Sequence, residues 1–341
     1  SSDLGRYPVT AMTAMTVRLL HAAGDALGEG PHWCHRERCL LRVDIPAGAV
    51  HRLAADGVPG ASIRVGEPIG CVVPRRVGGW LIATASGIHE LDASGATTLL
   101  ANPEADRPGN RFNDGKCDAL GRFWVGSLAM DGAPGAGALW RIGTDGTPTR
   151  MIDGVDVANG LGWSPDGTWL YFTDSGKGTI HRYAFDPASG SLGERTRFAQ
   201  LCDGGVPDGL TVDADGFVWS AIWDGARLLR FDPDGVLERT VELPVPRPTS
   251  CAFGGEHGRT LYITSARVGL DTGTLERAPD SGGVFTLESP VAGLPETAFG
   301  AGHACRARDV SLENQPGGLR CSVVRHIRVT SIPRRERQST M

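Results

Sequence analysis

The sequence predicts an all-β protein, a single-domain six-bladed β-propeller, and three observations favour this fold. Short runs rich in β-branched and aromatic residues recur between turns, such as Leu170–Thr173 and Leu261–Thr264. Asp-Gly pairs punctuate these runs. A unit of 40 to 49 residues occurs six times. No long stretch has the i, i+3, i+4, i+7 apolar spacing of an amphipathic helix, so little helix is expected.

The Asp-Gly pairs predict tight hairpin turns between the short strands. Glycine accepts the positive φ that a primed two-residue turn requires, and Asp-Gly is therefore a strong hairpin signal. Five such pairs are spread along the chain: Asp56-Gly57, Asp145-Gly146, Asp166-Gly167, Asp215-Gly216 and Asp234-Gly235.

The repeat becomes visible when the segments at the start of each unit are aligned. Each segment begins with a leading residue, usually followed by Gly, and continues with a short predicted strand, a turn and a second strand. The six leading residues are Glu29, Ile69, Asp114, Asn159, Asp208 and Thr249, separated by 40, 45, 45, 49 and 41 residues. Periods of this length in all-β sequence are typical of four-stranded propeller blades.

The repeat sets the expected domain boundaries. Residues 16–302 form the propeller, and an early strand at Thr16–His21 is expected to pair with the last blade and close the ring. Residues 1–15 are an N-terminal extension. Residues 303–341 carry eight Arg against three acidic residues and are expected to be a basic, poorly ordered tail.

Composition excludes several classes of partner. The net charge of −5 argues against nucleic acid, which requires a basic surface. No run of about 18 apolar residues predicts a membrane span, and no secretory signal is evident. The eight cysteines form no C-x-x-C pair and suit buried thiols in a reducing cytoplasm. The sequence does not predict the oligomeric state.

The leading residues predict a metal site. Equivalent positions of propeller blades form a ring around the central channel, and four of the six leading residues offer oxygen ligands. Carboxylates that converge in such a ring would repel one another unless a cation lay between them. Oxygen donors suit Ca²⁺, Mg²⁺ or Mn²⁺, and Zn²⁺ also accepts carboxylates. The alternative interpretation is that these Asp-Gly and Asn-Gly pairs are simple turns.

Other features are less informative. Residues 175–179, Ser-Gly-Lys-Gly-Thr, do not form a phosphate-binding loop because Gly follows the Lys. Trp80, Trp124 and Trp219 lie in strand positions and are expected to pack between blades rather than to form an interaction surface.

The chain resembles the gluconolactonase/regucalcin family, also called senescence marker protein and luciferin-regenerating enzyme. The resemblance covers about residues 17 to 300. It is carried by segments in the family's order and spacing, at residues 27–33 (LGEGPHW), 109–118 (GNRFNDGKCD), 158–167 (ANGLGWSPDG), 207–213 (PDGLTVD), 247–254 (RPTSCAFG) and 261–266 (LYITSA).

This resemblance implies a six-bladed propeller that hydrolyses sugar lactones with one divalent metal ion. It implies that Glu29, Asn159 and Asp208 are the metal ligands and that Asp208 is also the acid/base. Arg111 and Asn113 match the family's substrate-binding pair, and Asn113 lies near the metal in some relatives. Asp131 falls where some members place an acidic substrate contact.

The resulting prediction is hydrolysis of an aldonolactone to the aldonic acid, with a small-molecule sugar lactone as the expected partner. The metal (Ca²⁺, Zn²⁺, Mg²⁺ or Mn²⁺) would polarise the lactone carbonyl. Two alternatives stay open: a metal-dependent esterase or phosphotriesterase on the same scaffold, and a non-catalytic calcium-binding propeller.

Overall fold

The computed structural model describes residues 15–202 and 204–300, which form six four-stranded antiparallel sheets. The first three are β2–β5 (Gly28–Cys34, Cys39–Asp44, Ala49–Ala54, Ile63–Arg64), β6–β9 (Ile69–Pro74, Trp80–Thr84, Ile88–Leu91, Thr97–Ala101) and β10–β13 (Asn110–Cys117, Phe123–Ala129, Gly137–Ile142, Pro148–Val155). The next two are β14–β17 (Ala158–Trp163, Trp169–Asp174, Thr179–Asp186, Ser191–Gln200) and β18–β21 (Val206–Val212, Val218–Trp223, Arg227–Phe231, Leu237–Glu242).

The sixth sheet joins the two ends of the described chain. Its strands are β22 (Pro248–Gly254), β23 (Thr260–Ser265), β24 (Val284–Glu288) and β1 (Arg18–His21), in that order. The pairing of β1 with β24 confirms the expected closure of the ring. Met15 and Val17 pack against the core formed by this blade and the one before it. The first strands of successive sheets contact one another in a closed circle and line the central channel.

The five Asp-Gly turns are present, but they are not the primed type. Each of these glycines has φ between 70° and 87°. Gly57 N–H donates to Ala54 O and Gly146 N–H donates to Gly143 O, so glycine is the fourth residue of the turn. Asp56 does not have the positive φ that a primed turn would require. An unprimed turn followed by a glycine in the left-handed conformation forms the common three-residue hairpin loop.

The hydrophobic core lies between adjacent blades. Trp80, Trp124 and Trp219 are buried, which confirms that they pack within the ring. Trp124 meets Trp163 of the next blade edge-on at 6.1 Å between ring centroids, and Trp219 meets Phe253 at 6.3 Å. Aromatic pairs of this geometry add to the stabilisation from burial itself.

Residues 289–300 run across one end of the channel and are called the closing segment below. The backbone N–H of Ala214 donates to Ala292 O at 2.8 Å, and Phe299 N–H donates to Pro74 O at 2.8 Å. The closing segment therefore ties together blades that are distant in sequence.

Helical structure is confined to two short elements within the described ranges. They are a 3₁₀ turn at Ser175–Lys177 and α1 at Thr272–Arg277, whose N-cap is Asp271. None of the helices there has the length and apolar character needed to cross a lipid bilayer. The six cysteines in the described part of the chain are free thiols, and all but Cys202 are buried. The extension up to residue 14 and the predicted tail 303–341 lie outside the described residues.

Candidate functional site

Every innermost strand carries a register shift at or next to its leading residue. A β-bulge leaves one residue unpaired and re-aims its side chain, and bulges are frequent beside active sites. The shifts lie between Glu29 and His32, Ile69 and Cys71, Phe112 and Gly115, Ala158 and Leu161, Pro207 and Leu210, and Pro248 and Ser250. The repeat found in the sequence thus corresponds to a repeated distortion around the channel.

The glycines after the leading residues are not turn glycines. Gly160 and Gly209 lie inside strands and do not have positive φ. A Cβ on Gly160 would lie 2.3 Å from the backbone nitrogen of Leu210, and one on Gly209 would lie 2.0 Å from Ser250 Oγ. Glycine is required here because neighbouring innermost strands approach closely. The interpretation of these pairs as turns is therefore wrong.

Five of the predicted site residues line one cavity of about 270 Å³ at an end of the channel, called the site cavity below. Glu29, Asn159 and Asp208 lie in three different innermost strands and are 5 to 7% exposed. The same cavity is lined by Arg111 and Asn113 from β10. The structure therefore brings together the residues that were expected to hold a metal and a substrate.

A hydrogen-bond chain orders the polar side chains of the cavity. Arg111 Nη1 donates to Asn113 Oδ1 at 2.7 Å, and Asn113 Nδ2 donates to Asn159 Oδ1 at 2.7 Å. Asn159 Nδ2 donates to Ser175 Oγ at 2.8 Å, and Ser175 Oγ donates to the backbone oxygen of Pro207 at 2.6 Å. The chain fixes the orientation of both amides.

Asp208 contributes a fully buried site oxygen that has no hydrogen-bond donor in the described part of the chain. Its Oδ1 atom is buried and has no partner among the described residues. A buried, unsatisfied carboxylate oxygen is costly, so such an atom indicates a missing ligand or ion.

The electrostatics of the cavity favour a cation. Burial, followed by the nearby charge of Asp114, raises the pKa of Glu29 to about 8. Burial, then Glu29 and Asp114, raises the pKa of Asp208 well above its usual range. Burial also raises the pKa of Asp114 to about 6. These shifts show that three neighbouring carboxyl groups resist ionising together.

The donor set fits a hard divalent cation. Two carboxylates and one amide oxygen are oxygen ligands of the kind that such ions bind. In the described ranges no three His, Cys, Asp or Glu side chains are grouped as a metal site. The predicted ligand set contains only two carboxylates, because its third member, Asn159, is an amide.

The remaining predicted positions lie elsewhere. Asp131 is exposed in the loop after β11, accepts a hydrogen bond from Ala133 N–H at 3.0 Å and does not line the site cavity. Ile69 is buried in the core. Thr249 Oγ1 donates to Gly28 O at 2.5 Å and bonds Thr264 Oγ1, which is a structural role. The ring of leading residues is thus only partly a ligand ring.

Ser175 is a residue of the candidate site that was not predicted from the sequence. Its hydroxyl joins Asn159 to the backbone of β18, and its side chain lines the cavity. The position follows Asp174 at the end of β15, far from any leading residue, and no motif marks it. Only the packing of β15 against β18 brings it to the site.

The fold and the cavity define a six-bladed propeller with a carboxylate-lined pocket at one end of its channel. The sequence profile described as the SMP-30/Gluconolactonase/LRE-like region matches residues 27–267. The chain belongs to this family, which confirms the resemblance found in the sequence.

Several relatives share nearly their full length with this chain. The 6-deoxy-6-sulfogluconolactonase of Pseudomonas putida is 38% identical over 83% of this chain and 98% of the relative. Regucalcin of Xenopus laevis is 36% identical over 84% of this chain and 99% of the relative. The crystal structure of regucalcin from Agrobacterium tumefaciens, described as a calcium-binding protein, has 30% identity, a TM-score of 0.80, and coverage of 84% and 98% of the two chains.

Proposed function

We propose that this protein hydrolyses a sugar lactone to the corresponding aldonic acid and holds one divalent metal ion with Glu29, Asn159 and Asp208. The observation that supports this most directly is the buried, unpartnered Oδ1 of Asp208 at the floor of the site cavity. Family membership and a relative named as a sulfogluconolactonase support the substrate class. When bound, the metal supplies a positive charge that stabilises negative charge developing on the lactone carbonyl oxygen.

Asp208 is the proposed base. Its carboxylate accepts a proton from the attacking water while the water oxygen forms a bond to the lactone carbonyl carbon. The ring C–O bond then breaks, and the proton passes to the leaving alkoxide, which becomes the new hydroxyl group of the acid. A single residue that serves as base and then as acid is common in general acid–base catalysis.

Arg111 and Asn113 are the proposed substrate-orienting pair. The hydrogen bonds from Arg111 Nη1 to Asn113 Oδ1 and to Phe112 O hold the guanidinium in place, and its other N–H groups can donate to substrate oxygens. Restricting the substrate in this way lowers the entropic part of the barrier. Asp131 is proposed as a substrate contact only by resemblance, since it lies outside the cavity.

A lactone panel with metal exchange tests the proposal. The protein is stripped by a chelator and assayed for acid release from aldonolactones, aryl esters and a phosphotriester, alone and after addition of Ca²⁺, Mg²⁺, Mn²⁺ or Zn²⁺. The expected result is metal-dependent turnover with aldonolactones preferred. Preference for the ester or the phosphotriester would identify the alternative hydrolase, whereas metal binding without any turnover would indicate a calcium-binding propeller.

A further inference from the structure

The site cavity has a polar floor and an apolar wall. The wall consists of side chains contributed by four blades: Leu27, Ile45, Leu128, Val157, Val206 and Trp223. Val206 and Trp223 are direct partners across β18 and β19. Val206 is 36% exposed, whereas Asp208, two residues further along the same strand, is 5% exposed. Leu27, Leu128, Val157 and Trp223 are half-buried and Ile45 is 4% exposed, so the wall runs from the floor to the mouth and its Val206 end lies nearer to solvent than the carboxylates.

Little hydrogen-bonding capacity remains at the floor. The amide of Asn113 accepts from Arg111 and donates to Ala158 O and Asn159 Oδ1. The hydroxyl of Ser175 donates to Pro207 O and accepts from Asn159. The free capacity lies on the rest of the Arg111 guanidinium, on Asp208 Oδ1 and on the Glu29 carboxylate, to which Gly30 N–H donates at Oε2. These groups suit a lactone carbonyl and the hydroxyl groups next to it.

The far end of a bound lactone meets the wall instead. If the carbonyl binds at the floor beside Asp208, a sugar chain that extends towards the mouth would contact Val206, Leu128 and Trp223. A hydroxyl group packed against these partly exposed side chains would lose part of its water without gaining a partner, and burying an unpaired hydroxyl is unfavourable. A methyl group in the same place would gain apolar contact.

We infer that the preferred substrate is a 6-deoxyaldonolactone, a sugar lactone that ends in a methyl rather than a hydroxymethyl group. This inference rests on the proposed lactonase function. Val206, Leu128 and Trp223 are the specificity-determining residues. Within the described lining of the cavity, Arg111 is the one cationic side chain, and it lies at the floor. The wall therefore offers no charge that would favour an anionic group at the terminal carbon.

Matched lactone pairs test the inference. L-Fucono-1,4-lactone and L-galactono-1,4-lactone differ by one terminal hydroxyl, as do L-rhamnono-1,4-lactone and L-mannono-1,4-lactone. The metal-loaded protein should have a kcat/KM at least about 10-fold higher for the deoxy member of a pair, because apolar pockets discriminate against one added hydroxyl by about 10²-fold at most. Equal rates, or preference for the hydroxymethyl member, would overturn the inference and leave the lactonase function standing. No hydrolysis of any of the four would contradict both.

Wall variants provide a second, independent measurement. Val206→Thr keeps the shape and adds a hydroxyl at the mouth, and Leu128→Asn keeps a similar size and adds a polar amide at a second position. Each should lower the deoxy/hydroxymethyl ratio to within about threefold of unity, mainly through KM. Val236→Thr is the matched control, since Val236 is exposed in a hairpin away from the cavity. A ratio unchanged in both folded wall variants would overturn the assignment of these residues.

Discussion

The carboxylate of Glu296 in the closing segment lies 3.3 Å from the ammonium of Lys116 on β10. His32 Nδ1 lies 3.6 Å from the same carboxylate. Glu296 lines a second cavity with Lys116, Trp163 and Val212, residues at or next to the ends of innermost strands. Asn113, Asn159 and Asp208 lie earlier in those strands and line the site cavity. The ion pair therefore closes the end of the channel opposite to the candidate site.

Loss of this ion pair should destabilise the ring. Burial alone would raise the pKa of Glu296, but Lys116 and His32 outweigh it and hold the pKa below its usual value. The Glu296 side chain is 6% exposed, and removing one member of such a pair costs about 3–5 kcal/mol. Glu296→Gln should lower the free energy of unfolding by about 3 kcal/mol in urea titrations at pH 7. Because the pKa of Glu296 is depressed in the folded state, the difference in unfolding free energy between the variant and the original protein should shrink as pH falls through that folded pKa.

The exposed ion pair of Arg150 and Asp153 supplies the control for this measurement. Its side chains are 40% and 58% exposed, so Asp153→Asn should change the free energy of unfolding by about 1 kcal/mol or less. Equal effects of Glu296→Gln and Asp153→Asn would show that the buried pair is not a structural contact of the closing segment.

Replacement of Asp208 by Asn should separate the base from the ligand. The variant keeps one oxygen that can face a metal but loses the proton acceptor. We expect lactone turnover to fall by about 10²–10⁴-fold. Metal content, measured by atomic emission after equilibration, should fall far less. Asp234→Asn, in an exposed hairpin, is the matched control. Recovery of turnover by Asp208→Asn at high metal concentration would make Asp208 a ligand only and direct the search for a base to Asp114.

The effect expected of Asn159→Ala and Glu29→Gln is the opposite of that of Asp208→Asn. In these two variants metal affinity should weaken first, and excess metal should partly restore turnover. Ser175→Ala should give a milder form of the Asn159→Ala effect, because it removes the acceptor that orients the Asn159 amide. The measurements are the metal dissociation constant and the dependence of turnover on metal concentration. Loss of turnover at unchanged metal affinity would contradict the positioning role of Ser175.

The stability of the chelated protein should fall as pH rises from about 4.5 to about 8. The pKa of Glu29 is raised from 4.5 to about 8, so over this range the folded state keeps a proton that the unfolded state releases. Bound protons then favour the folded state at the acidic end, by on the order of a few kcal/mol. Saturating Ca²⁺ should flatten the profile, because the cation replaces the protons. Melting temperatures across this pH range provide the measurement. If a Glu29→Gln, Asp208→Asn double variant kept the same dependence of stability on pH, the assignment of this dependence to the site carboxyl groups would be contradicted.

Truncation should define where the fold ends. All six sheets are complete by Glu288, and Gly300 N–H still donates to Gly121 O at 3.0 Å. A chain that ends at Gly302 should therefore fold and keep its activity. A chain that ends at Glu288 should lose the closing segment and unfold at a lower temperature. Circular dichroism and turnover distinguish these outcomes, and an insoluble 302-residue chain would show that later residues complete the fold.

Local sequence patterns were sufficient to predict the blades. The number of sheets, the pairing of β1 with β24 and the burial of Trp124 and Trp219 follow from strand periodicity and the six-fold repeat. The turn type was predicted wrongly because Asp-Gly is compatible with two turn geometries, and the choice depends on the twist of the flanking strands.

The sequence by itself determined the propeller and placed Glu29, Asn159 and Asp208 at equivalent positions, because a repeat transfers one local conformation to six places around an axis. The choice of these three leading residues as the proposed metal ligands came from the family resemblance. Only the tertiary structure decided that Ser175 supports Asn159, that Glu296 pairs with Lys116, and that Val206 and Trp223 form part of an apolar wall. Each of these contacts involves at least one residue outside the repeat positions. The residues outside the repeat positions carry no local signal, since each contact depends on how different strands and blades pack against one another.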